Sequence, residues 1–123
     1  MGDKADKSDF AALFTPFRLA GKTLRNRITH ASITTLSTPE GRVTDREVLY
    51  HANRAAGGVA LSVTEPLGMM RHQARMPRVQ VWRQDDPDGL KRFASAVESQ
   101  DCRLIGQIQD AGRGRHFPGR NPE

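Results

Sequence analysis

The sequence predicts an α/β fold, the N-terminal part of a (β/α)8 barrel with about three strands and two helices. Segments alternate as strand, helix, strand, helix, strand, and each helix is long enough to return the chain for a parallel neighbour. The second strand candidate, residues 59–64, is a short run without polar alternation, the pattern of a strand covered on both faces. Directly after the first strand stands Thr34-Thr35-Leu36 in place of a glycine-rich turn, and no GxGxxG or Walker sequence occurs, which argues against a doubly wound nucleotide-binding sheet.

The elements follow in order. Residues 1–9 mix Lys4 and Lys7 with Asp3, Asp6 and Asp9 and read as a flexible tail with no secretory signal. Residues 10–19 carry Pro16 among apolar side chains and form a short leading segment, and Gly21-Lys22 marks a turn. Residues 27–33, rich in Ile and Thr, give the first strand, closed by Thr38-Pro39-Glu40-Gly41. Thr44 and Glu47 have the spacing of a capping box, in which the threonine oxygen accepts from an early helical N–H and the glutamate reaches back to the cap. The helix that follows, residues 45–56, has Val48, Leu49, Ala52, Ala55 and Ala56 as its buried stripe and Gly57-Gly58 as a left-handed stop.

Residues 59–64 form a central strand, and residues 65–84, rich in arginine and interrupted by Gly68 and Pro77, read as an ordered surface loop. Asp85 or Asp86 caps a second helix with Pro87 at its first position; Leu90, Phe93, Ala94 and Val97 recur at helical spacing, and the helix ends near Gln100. Residues 103–109 are the third strand, after which Gly112, Gly114, Pro118, Gly119 and Pro122 break regular structure. The domain reading is a tail over 1–9, a partial barrel over 10–115 and an irregular tail over 116–123. With 123 residues, against the roughly 200 or more of a whole barrel, an incomplete barrel is expected.

Composition narrows the function classes. Hydrophobic residues make up 37% and charged ones 27%, unlike a disordered chain, and the net charge of +5 favours anionic ligands such as phosphates. The single cysteine, Cys102, cannot form an internal disulfide and reads as a partly buried thiol in a reducing, cytoplasmic setting. No stretch has the length of a membrane span. His30 reads as a hydrogen-bonded strand residue with no catalytic role; His51, His72 and His116 lack metal-ligand spacing, so no metal site is expected. On residue type alone Thr34 is an ordinary polar strand end and Gln107 a solvent-facing strand residue.

Four fragments change that reading: Leu13-Phe14-Thr15-Pro16-Phe17, Leu24-Arg25-Asn26-Arg27-Ile28, Gly57-Gly58-Val59 with Thr64-Glu65, and Gln107 with Ala111-Gly112-Arg113. In order and spacing, over about residues 10–115, the chain resembles the start of the Old Yellow Enzyme / NADH:flavin oxidoreductase family. The resemblance implies an FMN-binding TIM barrel that takes hydride from NAD(P)H and passes it to an activated alkene or related small-molecule acceptor. It further implies that backbone groups at Ser32 and Ile33 lie along the isoalloxazine, that Thr34 bonds its O4/N5 edge and that Gln107 bonds the pyrimidine ring. Pro66, by contrast, is unusual at this place in the family pattern and would reshape the loop under the flavin. No catalytic residue is assigned, because the family's phosphate clamp and proton donor belong to later strands.

Two positions depart from the family pattern: Ser32 stands where proline is common, and Asp110 where a histidine often precedes Ala-Gly-Arg. A carboxylate at Asp110 opposes charge build-up on the flavin unless Arg113 or Arg115 pairs with it. An open sheet edge also leads us to expect either a complementary chain completing the barrel or an isolated chain that is inactive. Two other readings are a polyanion-binding module using Arg113, Arg115 and Arg120, and a truncated non-functional remnant. Nucleic acid is not the expected partner, because aromatic residues are 6% of the chain and do not interleave with the arginines.

Overall fold

The computed structural model describes residues 7–73 and 76–110. A 3-10 helix, Lys7–Phe14, begins inside the stretch read as a tail and leads into an antiparallel hairpin of β1 (Phe17–Leu19) and β2 (Lys22–Leu24). Its two-residue turn places Ala20 at φ +47 and Gly21 at φ +76, the left-handed pair that matches the twist of the flanking strands.

The main sheet is parallel and runs in chain order: β3 (Thr29–His30), β4 (Leu61–Val63), β6 (Arg103–Ile105). Thr29 pairs Leu61 and Leu61 pairs Arg103; one step on, His30 pairs Ser62 and Ser62 pairs Leu104. Sequential parallel neighbours joined by helices are the order of a barrel wall. Helices α1 (Asp45–Ala56) and α2 (Pro87–Glu98) pack together, burying Val43, Val48, Ala55, Val79, Phe93, Val97 and Cys102 with Leu90 and Leu104 at the margin. A smaller cluster of Leu24, Ala60 and Leu61 joins the hairpin to the sheet.

Both helices have the predicted bounds or nearly so, for local reasons. The Thr44 side chain accepts from the Glu47 N–H and Asp86 accepts from the Gly89 N–H, with Pro87 at the start of α2. The left-handed residue after α1 is Gly58 at φ +109, whereas Gly57 remains right-handed. The end of α1 is further tied by Arg25, whose Nη2 donates to the carbonyls of Ala55 (2.6 Å) and Val59 (2.9 Å), and by Asn26 Nδ2, which donates to the Gly58 carbonyl. Cations and amides suit this helix terminus because its last carbonyls lack partners of their own.

Several expectations are corrected. Glu47 does not reach back to the cap; its carboxylate turns inward to Thr35, Ser37 and His51. The buried stripe of α1 is accordingly Glu47, Val48, His51 and Ala55, while Leu49 is 57% exposed and Ala56 is exposed. The first strand is only Thr29–His30, shorter than the expected 27–33, and farther along the Thr35 and Leu36 N–H groups donate to Glu65. The third breaks at Gly106-Gln107 into β6 and β7 (Ile108–Gln109), and β7 pairs with β5 (Leu67–Gly68). The supposed surface loop therefore contains a strand, two short 3-10 helices (Arg71–Gln73 and Val81–Arg83) and the buried residues Arg78, Val79 and Gln80. Cys102 is fully buried, and burial raises its pKa.

Candidate functional site at the strand carboxyl ends

The carboxyl ends of β3, β4 and β6 open onto three loops, residues 31–37, 64–67 and 106–110, and in a barrel wall this is the end that carries chemistry. The second and third loops are bound together through Thr64. Its hydroxyl donates to the Glu65 carbonyl (2.8 Å) and accepts from the Gln107 N–H (3.1 Å), while the Leu67 N–H donates to the Gln107 carbonyl (2.8 Å). Gln107 is thus fixed at both backbone groups with its side chain exposed.

The first loop is tied to the second by Glu65. One carboxylate oxygen, Oε2, accepts from the N–H groups of both Thr35 (2.9 Å) and Leu36 (3.1 Å). Glu47 Oε2 accepts from the Thr35 hydroxyl (2.8 Å) and from the Ser37 hydroxyl (2.5 Å). Burial opposes charge on Glu47, but the adjacent His51 ring and the hydrogen bonds from the Ser37 and Thr35 hydroxyls outweigh it and hold the carboxyl below its ordinary pKa.

Behind this loop a polar chain crosses to the sheet. His51 Nε2 lies 3.3 Å from Glu47 Oε1, at ion-pair distance but off the line of a good hydrogen bond, and the other ring nitrogen is 2.7 Å from the Ser62 hydroxyl. Ser62 Oγ is 3.3 Å from His30 Nδ1, whose Nε2 is 3.4 Å from the Tyr50 hydroxyl. His30, read from the sequence as a lone strand histidine, therefore shares a cluster with His51 at 5.4 Å between ring centroids. Burial, then His51 and Arg54, lower the His30 pKa.

The residues singled out from the sequence fall into two groups. Ile33 (53% exposed) and Thr34 (exposed) join Thr35, Ser37, Arg46 and Tyr50 around an open cleft of about 260 Å³, with Ser32 half-buried beside them. Pro66 is half-buried and Gln107 exposed, in the two loops that Thr64 joins. The Thr35–Glu65 bond links the groups. Exposed Ile33, Ile105 and Ile108 add apolar surface on these segments. Asp110 is described and exposed, but its proposed pairing with Arg113 or Arg115, the Ala111-Gly112-Arg113 fragment and the arginines of the polyanion-binding reading all lie outside the described residues.

Sequence reasoning placed Glu65 at a strand end without its bonds to the first loop, and missed His51 and Ser62 as parts of this arrangement. The available signals were modest: a glutamate directly after a strand run without polar alternation, and Glu47 with His51 at the i,i+4 spacing that makes neighbours on a helix face.

Comparison with known proteins bears on these loops. The model of the family described as NADH:flavin oxidoreductase / NADH oxidase matches residues 12–121. A metal reductase of Desulforamulus reducens is 33% identical over 104 residues, covering 85% of this chain and 16% of that protein. An NADPH dehydrogenase of a Geobacillus species is 29% identical over 104 residues, covering 82% of this chain and 31% of that protein. The solved structure of morphinone reductase in complex with tetrahydroNAD has a TM-score of 0.71 and 26% identity, covering 79% of this chain and 26% of that one. This chain thus spans between 16% and 31% of the length of the two curated relatives. Its fold is the N-terminal part of a (β/α)8 barrel, with no closed barrel among the described residues.

Proposed function

Because the chain belongs to the NADH:flavin oxidoreductase / NADH oxidase family, we propose that it forms the isoalloxazine-facing part of an FMN-dependent oxidoreductase of the Old Yellow Enzyme type. The activity is hydride transfer from NAD(P)H to a small-molecule acceptor, an activated alkene or a related group. When bound, FMN supplies the two-electron carrier between nicotinamide and acceptor.

The observation that carries this reading is the pairing of neutral polar side chains with exposed apolar ones at the strand carboxyl ends: Thr34 beside Ile33, and Gln107 beside Ile108. That donor set fits a planar ring with polar edges. A threonine hydroxyl and a glutamine amide stabilise negative charge building on a pyrimidine edge without themselves ionising. Gln107 is held at its N–H and its carbonyl, so its side chain departs from a fixed root, as a preorganised contact requires. Backbone groups at Ser32 and Ile33 line the ring and Pro66 shapes the loop beneath it. The buried Cys102 thiol suits a reducing, cytoplasmic setting.

The test is Gln107→Leu, with FMN affinity followed by flavin fluorescence and the midpoint potential measured on the same samples. Loss of one charge-assisted hydrogen bond predicts about ten-fold weaker binding of the reduced flavin and a lower potential. If affinity and potential are both unchanged, Gln107 does not have this role.

A further inference from the structure

We propose that Glu65 is a positioning residue for the flavin-facing loop, fixing the backbone that presents Thr34; the inference rests on the flavin role proposed for Thr34. Leu36 has φ +51, a left-handed conformation that its side chain disfavours, so something must hold it there. The N–H groups of Thr35 and Leu36 converge on one oxygen, Glu65 Oε2, at 2.9 and 3.1 Å. Two successive backbone N–H groups beside a left-handed residue make an anion-binding concavity, and here the anion belongs to the chain itself.

Glu65 is wholly buried, and its second oxygen, Oε1, has no hydrogen-bond partner among the described residues. A carboxylate is costly to bury, so its retention in this place needs a return beyond packing, and the bonds to Thr35 and Leu36 are that return. Glu47 grips the same loop from the other side through the Thr35 and Ser37 hydroxyls. Thr35 is therefore held at its backbone by one buried carboxylate and at its side chain by another, and Thr34 is the residue immediately before it. With both bonds in place the backbone that carries Thr34 has a set position; without Glu65 the strained Leu36 relaxes and takes the Thr34 backbone with it.

The experiment compares Glu65→Leu, Glu65→Gln and Thr34→Val with the unaltered 123-residue chain, reading amide hydrogen exchange by NMR and FMN affinity by fluorescence. Glu65→Leu is expected to speed exchange at the Thr35 and Leu36 amides by about ten-fold or more relative to Val63, and to weaken FMN as much as Thr34→Val does. Glu65→Gln, which keeps an acceptor oxygen but loses the charge, is expected to speed exchange at the same amides by about three-fold, with a smaller loss of FMN affinity, and so serves if the leucine variant does not fold. Unchanged exchange at Thr35 and Leu36 in both Glu65 variants overturns the inference. So does faster exchange with unaltered FMN affinity in a chain that Thr34→Val weakens. If Thr34→Val itself leaves FMN affinity untouched, the flavin role of Thr34 fails and the inference fails with it.

Discussion

His51 Nδ1 lies 2.7 Å from the Ser62 hydroxyl, and both residues are buried, so helix α1 and the central strand β4 are joined by a bond that water does not reach. Ser62→Ala leaves the imidazole nitrogen without that partner. The expected cost is about 1–3 kcal/mol, the penalty for an unsatisfied buried polar group. Urea unfolding measures it, and an unshifted midpoint contradicts it.

The same cluster makes stability depend on pH with a definite sign. The folded pKa of His30 is depressed below 6.5 by burial and by facing His51 and Arg54, so as pH falls the unfolded chain takes up the proton first. Its contribution is complete above pH 6.5 and is lost as pH falls through the folded value. Glu47, whose folded pKa lies below 4.5, adds a second loss at lower pH. Melting temperature measured from pH 8 to pH 3 is expected to fall in both windows. His30→Gln should flatten the upper one; an identical profile in that variant would contradict the assignment.

Gly68 is held to glycine by Gln80. A Cβ there would meet Gln80 Oε1 at 2.2 Å, and the Gln80 side chain cannot move away cheaply. Its Nε2 donates toward the carbonyls of Gln73, Met76 and Arg78, and its Oε1 accepts from Trp82 Nε1. Gly68→Ala is expected to destabilise the chain by about 1–3 kcal/mol through overpacking and to shift the emission of Trp82, the single tryptophan. Unaltered emission and stability together would show that the Gln80 hub yields.

Asn26 spans two segments, accepting from the Ile28 N–H (2.9 Å) and donating to the Gly58 carbonyl (2.8 Å). Asn26→Ala removes both bonds, one at the end of α1 and one just before β3, and is expected to cost about 1–3 kcal/mol. Denaturant titration reads this directly, and a wild-type midpoint would contradict it.

What was legible in the sequence is what local chemistry decides. Thr44 before α1, and Asp86-Pro87 at α2, are signals that the helix termini themselves require, and the strand order followed from alternation. The polar interior was hidden because its partners are distant in the chain: Thr35 meets Glu65 across 30 positions and His51 meets Ser62 across 11. Glu47 carries the capping-box spacing, yet the hydroxyls of Thr35 and Ser37 and the His51 ring claim its carboxylate. Strand lengths were also misjudged: the first strand is Thr29–His30 where residues 27–33 were expected, and the third divides at Gly106-Gln107. Thr34 and Gln107 were singled out by family resemblance rather than by periodicity, which makes both look like ordinary strand ends.

The central claim is that these strand ends recognise the isoalloxazine ring. It is tested most directly by titrating the purified chain with FMN and with riboflavin, following visible absorbance and flavin fluorescence. Ring recognition through Thr34 and Gln107 predicts saturable binding of both, with affinities within about ten-fold of each other because neither of those contacts uses the phosphate. The absence of a saturable change with either flavin would contradict it.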